Sequence, residues 1–227
     1  MSHSEPKQLR KPHIAFNVVG NCLANTCVEL GKTRVICVVR PPQQLVQEYR
    51  GDTGRISIQV HRAAASAAAA TMIGSGDMVA RNDRDFALAL EGVAEKMVRV
   101  EKISQLLIEV LFEVVNDDGG LWDAATIALS TAFAAGGIEM YDLFAACSVG
   151  IDESGSFLVD LTAADEKRCS NVVTVCSTLT TGVLLYLEQQ GTCELSTLQN
   201  MLQRATETVG ARKAVIQEQL IEHVKQL

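Results

Sequence analysis

The sequence predicts a mixed α+β fold, and three observations support this prediction. Strand-like runs fall into two groups, and each group is followed by a segment of helical periodicity. The chain closes with one long amphipathic helix, and no linker-like composition separates the two groups. Strands and helices that come in successive blocks are typical of α+β proteins. We therefore predict one domain over residues 13–227, made of two similar sheet-and-helix halves, after a flexible arm over residues 1–12.

The first half begins with a predicted β-hairpin. Gly31-Lys32 is a tight-turn dipeptide between two β-rich runs, and Pro41-Pro42 ends the second run because proline cannot donate to a ladder. The run Val35–Val39 is apolar throughout, which predicts a strand covered on both faces. The predicted strands of this half are Ile14–Val19, Leu23–Leu30, Thr33–Val39 and Arg55–Val60.

A loop and two helices are predicted in the middle of the chain. Residues 63–80 combine an Ala-rich run with Gly74-Ser75-Gly76, which predicts a loop. An apolar stripe at helical spacing follows it, formed by Phe86, Leu90, Val93, Met97 and Val100. A strand at Leu107–Val115, a turn at Asn116–Gly120 and an Ala-rich helix at Trp122–Ala135 come next.

The second half repeats the pattern of strands before a helix. Its predicted strands are Leu143–Val149, Phe157–Val159, Val172–Ser177 and Gly182–Glu188. Thr180-Thr181-Gly182 is the predicted hairpin turn between the last two. The closing helix is predicted from apolar residues that recur mostly three and four apart between Leu195 and Val224.

Composition excludes several classes of protein. With 48% hydrophobic and 21% charged residues, the chain is not of the disordered type. A net charge of −7 argues against a free-standing nucleic-acid binder, which usually carries a basic excess. No apolar run is long enough to span a bilayer, and the polar segment Met1–Pro12 has no signal core. The seven cysteines form no Cys-x-x-Cys pair, which predicts reduced thiols and neither a disulfide framework nor a metal site.

Two segments are candidate sites for phosphate or acid–base chemistry. The turn Asn116–Gly120 precedes a helix, where backbone N–H groups can hold a phosphate, but Asp117 and Asp118 would repel an anion and an ordinary turn is the alternative. Carboxylates between Asp160 and Glu166 follow a strand and are suited to acid catalysis or Mg²⁺ binding. The alternative there is a helix start, with Thr162 as N-cap and Asp165 three residues later.

Aromatic and basic residues offer weaker candidates. Trp122, the only tryptophan, is interpreted as a packing or interface anchor rather than a stacking platform for bases. Arg62, Arg81 and Arg84 form the best basic cluster in the sequence and are candidate RNA contacts, with a solvated loop as the alternative.

The order of several motifs resembles the ribonuclease PH family over about residues 14–225. The segment Gly20–Cys37 looks like the family's opening hairpin, and the later motifs follow in the family's order. They are Gly54–Ile58, Asp117–Gly120, Gly136–Leu143, Cys147–Gly150, Leu158–Asp160 and the long C-terminal helix. The resemblance implies a ribonuclease PH-like domain, whose active members trim RNA 3′ ends with inorganic phosphate as the nucleophile.

The chain departs from the family at the positions that hold phosphate. Active members carry a Thr-Arg pair directly after the Asp-Gly-Gly turn, where this chain has Leu121 and Trp122. A second phosphate-binding Arg of the family corresponds to Asn82, with Arg84 near enough to substitute for it. Asp160 and Glu166 match the family's acidic pair and would be catalytic in an active enzyme. We therefore expect no catalytic residue, a degenerate phosphate site at Asn82, Leu121 and Trp122, and no metal or cofactor.

The resemblance implies a non-catalytic ring subunit of the eukaryotic RNA exosome core. Its expected partners are other ribonuclease PH-like subunits in a pseudo-hexameric ring, RNA-binding cap subunits and single-stranded RNA, with no membrane. The expected role is structural support of 3′-to-5′ RNA processing and degradation, ribosomal RNA included, in the nucleus, nucleolus and cytoplasm. One alternative is an active phosphate-dependent exoribonuclease, alone or with a composite site shared with a partner. Another is an α+β protein-binding module of unrelated role.

Overall fold

The computed structural model describes residues 9–45, 53–63 and 76–226, without the side chains of residues 76–80. Residues 1–8 of the predicted arm lie outside the described residues. Residues 64–75 of the predicted loop over residues 63–80 also lie outside them. The described end of the arm is held in place. Arg10 donates to Asp160 from its backbone N–H at 2.7 Å, and the Gln219 amide donates to the Pro12 carbonyl at 2.9 Å. The chain is therefore fixed several residues before the predicted boundary at residue 13.

The first sheet has six strands. In chain order they are β1 (His13–Phe16), β2 (Ala24–Leu30), β3 (Thr33–Val39), β4 (Gln43–Gln44), β5 (Arg55–Arg62) and β6 (Leu106–Asn116). The order β1-β2-β3-β6 is antiparallel, β4 pairs with the start of β6, and β5 runs parallel to β6. The predicted hairpin is confirmed, since Leu30 pairs with Thr33 across Gly31-Lys32. One face of β3 is fully buried, whereas Ile36 and Val38 on the other face are half-buried. The expectation that both faces of this strand are covered is therefore wrong for the second face.

The first helix, α1 (Gly76–Met97), begins earlier than predicted. The predicted loop is therefore wrong for residues 76–80, which are helical. The reason is that the following turns are solvent-exposed, with Arg81, Asn82 and Arg84 outside, so no apolar stripe marks them. The apolar stripe is confirmed at Leu90, Val93 and Met97, which are all buried. The helix ends at Met97, so the predicted position Val100 lies beyond it.

The second sheet has four antiparallel strands in the order β10-β9-β7-β8. They are β7 (Phe144–Asp152), β8 (Phe157–Val159), β9 (Cys169–Thr178) and β10 (Leu184–Gln190). Three further helices complete the fold, namely α2 (Leu121–Ala135), α3 (Ala163–Arg168) and α4 (Leu195–Gln226). The mixed α+β prediction, with two sheets and a long C-terminal helix, is confirmed.

Helix α2 is the centre of the molecule. It contacts β2 and β3 of the first sheet and β7 of the second, and its residues from Asp123 to Phe133 are buried. Small side chains allow this close packing, and hydroxyls on the helix satisfy backbone groups of the sheets. The Ala146 N–H donates to the Thr126 hydroxyl at 2.8 Å, and the Thr26 hydroxyl donates to the Ala128 carbonyl at 2.8 Å. One core cluster thus contains residues of both sheets.

Candidate functional site

The turn between β6 and α2 is held by side chains that accept its amide protons. Gly119 and Gly120 adopt left-handed backbone conformations, with φ of 84° and 68°. The Gly119 N–H donates to Asp117 Oδ1 at 3.2 Å, and the Gly120 N–H donates to Glu166 Oε1 at 3.1 Å. Both glycine N–H groups that a phosphate would use are therefore bonded to carboxylates. The arrangement favours the structural-turn alternative over an anion-binding loop.

Asp160 lies at the end of β8 and is fully buried. The Arg10 guanidinium donates to its Oδ1 at 2.8 Å, and the Arg212 guanidinium donates to the same oxygen at 2.7 Å. Burial acts to raise the pKa of Asp160, but the hydrogen bonds from Arg10 and the charge of Arg212 outweigh it and hold that pKa below its ordinary value. Asp160 therefore has two cations beside it, which the sequence analysis did not foresee.

The segment after Asp160 begins a helix. Thr162 is the N-cap of α3, and its hydroxyl accepts from the Asp165 N–H while the Asp165 carboxylate accepts from the Thr162 N–H at 3.1 Å. This reciprocal capping box confirms the helix-start alternative for the segment. Asp160, before the helix, is buried in the core, whereas Glu166, within the helix, is exposed.

Arg212 and Asp123 extend the buried ion network behind the turn. Arg212 is 2% exposed, and it donates to Asp123 Oδ2 at 2.9 Å and to the Ala146 carbonyl at 2.8 Å. Burial raises the pKa of Asp123, and the Arg212 charge opposes that rise. Sequence reasoning missed Arg10, Asp123 and Arg212. The signal for Arg212 was an arginine between Val209 and Ile216 on the apolar stripe of a helix, where a cation needs a buried partner.

Leu121 and Trp122 open α2 and pack as apolar groups. Trp122 stacks on Tyr186 with ring centroids 4.4 Å apart, and it meets Phe86 edge-on at 4.8 Å. The packing interpretation of Trp122 is confirmed. At the position where the resemblance implies an arginine in active members, this chain has an indole that joins α1, α2 and β10.

Two open cavities share the Trp122 ring. The first, of about 220 Å³, is called the acidic cavity here and is lined by Leu121, Trp122 and the carboxylates of Asp117, Glu166 and Glu188, among others. The second, of about 330 Å³, is the helix-side cavity, and Asn82 and Asp85 of α1 line it. Among the described residues, no lysine, arginine or histidine lines either cavity. The predicted positions Asn82, Leu121 and Trp122 are thus brought together around one ring.

Glu166 lines the acidic cavity and is exposed as a residue. The packing around its carboxylate raises the pKa of Glu166, as do the charges of Asp117 and Asp123, while the Gly120 N–H and Arg10 act in the opposite direction. Asp160 is within the ion network instead. Of these two carboxylates, Glu166 lines the acidic cavity and Asp160 does not.

The three candidate RNA-binding arginines differ in their contacts. Arg62 pairs with Asp83 at 2.8 Å and with Asp117 at 3.2 Å, so its guanidinium is already neutralised. Arg81 and Arg84 are exposed on α1, and neither lines the acidic or the helix-side cavity. The substitution of Arg84 for a phosphate-binding arginine at Asn82 stays a prediction.

The remaining chemistry-bearing residues form no second centre in the described part of the chain. All seven cysteines are free thiols, four of them buried. Within residues 9–45, 53–63 and 76–226, no three His, Cys, Asp or Glu side chains group as metal ligands. None of the described helices is both long and apolar enough to cross a bilayer.

Comparison with known proteins places these features in a family. A family model described as 3′ exoribonuclease family, domain 1 (RNase PH), matches residues 8–139. The exosome complex component MTR3 of Mus musculus is 28% identical over 188 residues, which cover 75% of this chain and 67% of that protein. The exosome complex component Rrp41 of Thermococcus gammatolerans is 27% identical over 163 residues, which cover 70% of this chain and 63% of that protein.

Solved structures share the fold. Rrp46 of rice (Oryza sativa) superimposes with a TM-score of 0.81 at 16% identity, covering 96% of this chain and 98% of that one. A chain of the Archaeoglobus fulgidus exosome with RNA bound to the active site gives a TM-score of 0.74 at 17% identity, covering 89% of this chain and 86% of that one. Since the family model matches more than half of the sequence and the two-sheet architecture is the same, this chain belongs to the RNase PH family of 3′ exoribonucleases.

Proposed function

We propose that this protein is a structural ring subunit of an exosome-type RNA-processing assembly and performs no phosphorolysis itself. The similarity to MTR3 and Rrp41, both of which are named exosome complex components, supports the assembly. Its partners would be other RNase PH-like subunits in a pseudo-hexameric ring, RNA-binding cap subunits and single-stranded RNA. The expected locations are those of RNA processing and decay, namely the nucleus, nucleolus and cytoplasm.

The observation that carries the inactive assignment is the charge of the acidic cavity. Phosphorolysis needs cations or free N–H donors to hold an attacking phosphate. Here the walls are Leu121, Trp122 and carboxylates, and the glycine N–H groups of the turn are bonded to Asp117 and Glu166. A carboxylate about 4 Å from a phosphate would repel each negative charge of that phosphate by about 4 kcal/mol at an effective dielectric constant of about 20.

The buried state of Asp160 supports the same assignment. A general acid or a metal ligand must reach the substrate, and Asp160 has no exposed surface and two guanidinium partners. Within this proposal the chain contributes surfaces rather than chemistry. Arg81 and Arg84, exposed on α1, are the residues we propose as RNA contacts along the path through the ring.

Phosphorolysis of a 5′-labelled single-stranded RNA in phosphate buffer tests the proposal. The purified protein should leave the labelled RNA at full length, and a family member with the Thr-Arg pair serves as the positive control. Phosphate-dependent shortening by the purified protein would overturn it. The double substitution Leu121→Thr with Trp122→Arg should bring no activity either, because Asp160 stays in its ion network.

A second candidate function rests on the accessibility of Glu166. Because this carboxylate faces the acidic cavity, a partner chain that brought arginines to it would complete a composite phosphorolytic site. Reconstitution with the other RNase PH-like subunits of the same organism separates the two candidates. Activity that appears only in the mixture and is lost in Glu166→Gln would favour the composite site.

A further inference from the structure

The acidic cavity presents charge of one sign. Of its three carboxylates, Asp117 is paired with Arg62 at 3.2 Å, whereas no described cation pairs with Glu166 or Glu188. The Tyr186 hydroxyl donates to Glu188 Oε2 at 3.0 Å, which fixes that carboxylate without neutralising it. An anion is repelled from such a cavity and a cation is attracted to it.

The hydroxyls in the wall of the cavity point to a hydrogen-bond donor. Ser148 Oγ lies 3.2 Å from Asp123 Oδ1, and because the Arg212-paired carboxylate only accepts, Ser148 uses its proton there. Ser148 and Thr174 hydroxyls are 3.0 Å apart, so Thr174 must be the donor of that bond. Thr174, 7% exposed, is left with acceptor lone pairs, and no described group donates to them. Thr174 is therefore hydrogen-bonded to Ser148, and its lone pairs add an acceptor to the wall of the cavity beside the carboxylates.

The spacing of the acceptors favours an extended cation over a metal ion. No three of the described His, Cys, Asp or Glu side chains are grouped closely enough to hold one metal. The cavity of about 220 Å³ is also several times the roughly 30 Å³ that a water molecule occupies in the liquid. A planar guanidinium, with five N–H donors spread over its edge, matches separated carboxylate and hydroxyl acceptors better than a point charge does.

The Trp122 ring adds a surface that guanidinium groups favour. Trp122 lines the cavity and is held in place by its stack on Tyr186, and an aromatic ring within about 6 Å attracts a guanidinium through its quadrupole. We propose that the acidic cavity is a socket for an arginine side chain presented by a protein partner. The inference rests on the proposed function, because the arginine takes the place of phosphate rather than helping to bind it.

Titration of the full-length protein with N-acetyl-argininamide tests this proposal. Trp122 is the only tryptophan, so its fluorescence reports on the two cavities that share its ring, and Glu166, which lines only the acidic cavity, tells them apart. We expect a saturable change of emission that weakens as salt rises, since the cavity is open to solvent. N-acetyl-citrullinamide, which has the same shape without the charge, should produce no saturable change.

Variants of the two unpaired carboxylates give the specific readout. Glu188→Gln and Glu166→Gln keep the oxygens that Tyr186 and Gly120 donate to, and each should weaken arginine binding about threefold to tenfold. Glu153→Gln, an exposed substitution outside the cavity, is the matched control and should bind as the original protein does. Equal responses to the arginine and citrulline probes, or no weakening beyond that of Glu153→Gln, would overturn the socket.

Inorganic phosphate and Mg²⁺ are the competing probes. If Mg²⁺ displaces the arginine probe at equal ionic strength, the cavity is a metal site and the socket is wrong. If phosphate binds only once the arginine probe is present, the site is a composite phosphate site, and both the socket and the inactive assignment fail. An absent arginine response together with absent phosphorolysis removes the socket and leaves the proposed function standing.

Discussion

At the scale of single residues, the ion network determines which carboxylate can meet a ligand. Asp160 is enclosed by Arg10 and Arg212, whereas Glu166, six residues later, faces the acidic cavity. A left-handed conformation at Asp160, with φ of 58°, turns the chain between these two environments. The guanidinium groups that neutralise Asp160 come from the two ends of the described chain, so its burial depends on both ends being in place.

Loss of Arg212 should destabilise the fold strongly. Arg212→Met leaves the buried Asp123 carboxylate without its guanidinium partner. It also removes one of the two guanidinium groups that pair with Asp160. Breaking a buried ion pair from one side costs about 3–5 kcal/mol, so urea unfolding should show a loss of about 3 kcal/mol or more. Arg204→Met on the same helix, where the guanidinium lies over the Phe157 ring, should cost less than about 1 kcal/mol. A similar loss in both variants would contradict this assignment.

Glu166→Gln should stabilise the protein at neutral pH. In the folded protein the pKa of Glu166 is raised above its ordinary value of 4.5. Glu166 therefore stabilises the fold at pH values below 4.5, and this contribution is lost as the pH rises through the folded pKa. The variant lacks the ionised form, and its oxygen still accepts from Gly120. We expect it to be more stable at pH 7 by less than about 1 kcal/mol, because the group is solvent-screened.

The same measurement across pH checks the sign. The stability difference between Glu166→Gln and the original protein should shrink as the pH falls from 7 toward 4 and vanish where Glu166 is protonated in both states. Urea unfolding at four or five pH values measures it. A difference that grows on acidification would show that the Glu166 charge is stabilising.

At the scale of elements, the turn before α2 is fixed by its contact with α3. A Cβ on Gly119 would overlap the Ala163 backbone nitrogen and the Thr162 carbonyl carbon. The Thr33 hydroxyl, which donates to the Gly119 carbonyl at 2.7 Å and accepts from the Asp118 N–H at 3.0 Å, holds the same turn from the first sheet. The first sheet and α3 therefore meet at these few residues.

Gly119→Ala should be far more damaging than Gly137→Ala. Both glycines have left-handed φ values, 84° and 68°, and this conformation alone costs an alanine about 1–2 kcal/mol. A Cβ on Gly137 would meet no atom within 4 Å beyond its chain neighbours, so only that cost applies there. At Gly119 the overlap is with backbone, which cannot rotate away. Thermal unfolding should show a clearly larger fall in Tm for Gly119→Ala, and equal falls would refute the close-contact argument.

The elements were predictable where periodicity is strong and unpredictable where it is absent. The alternation along β6 and the Ala-rich run of α2 define those elements to within a residue or two, because burial on one face or all round selects the side chains. The start of α1 was missed, since exposed turns carry no apolar signal. The capping box at Thr162 was recognisable because its spacing is local.

At the scale of the whole molecule, the candidate site is assembled from distant parts of the chain. Two features of the site could be predicted from the sequence: the site follows the Asp-Gly-Gly turn, and it contains the apolar pair Leu121-Trp122. Arg10 and Arg212 were not, because their contact with Asp160 spans 150 and 52 positions of sequence, and no local pattern records it. The stacking of Tyr186 on Trp122 is long-range in the same way.

The shared core predicts cooperative unfolding of the two halves. Because α2 is buried against strands of both sheets, neither sheet keeps its apolar face covered when the other unfolds. Far-UV circular dichroism and Trp122 emission should therefore give coincident urea transitions, the usual sign of a single cooperative unit. Two separated midpoints would instead indicate independently folding halves.

A matched pair of core substitutions makes this test stricter. Val110→Ala in β6 and Val175→Ala in β9 each truncate a side chain that is at most 1% exposed, at a cost of about 2 kcal/mol. If one core joins the sheets, each substitution lowers the urea midpoint measured by circular dichroism and the one measured by Trp122 emission equally. The ring contacts of Trp122 are with Phe86 and Tyr186, which lie on neither β6 nor β9. If Val110→Ala moved one probe and Val175→Ala the other, the two halves would be separate folding units joined only in sequence.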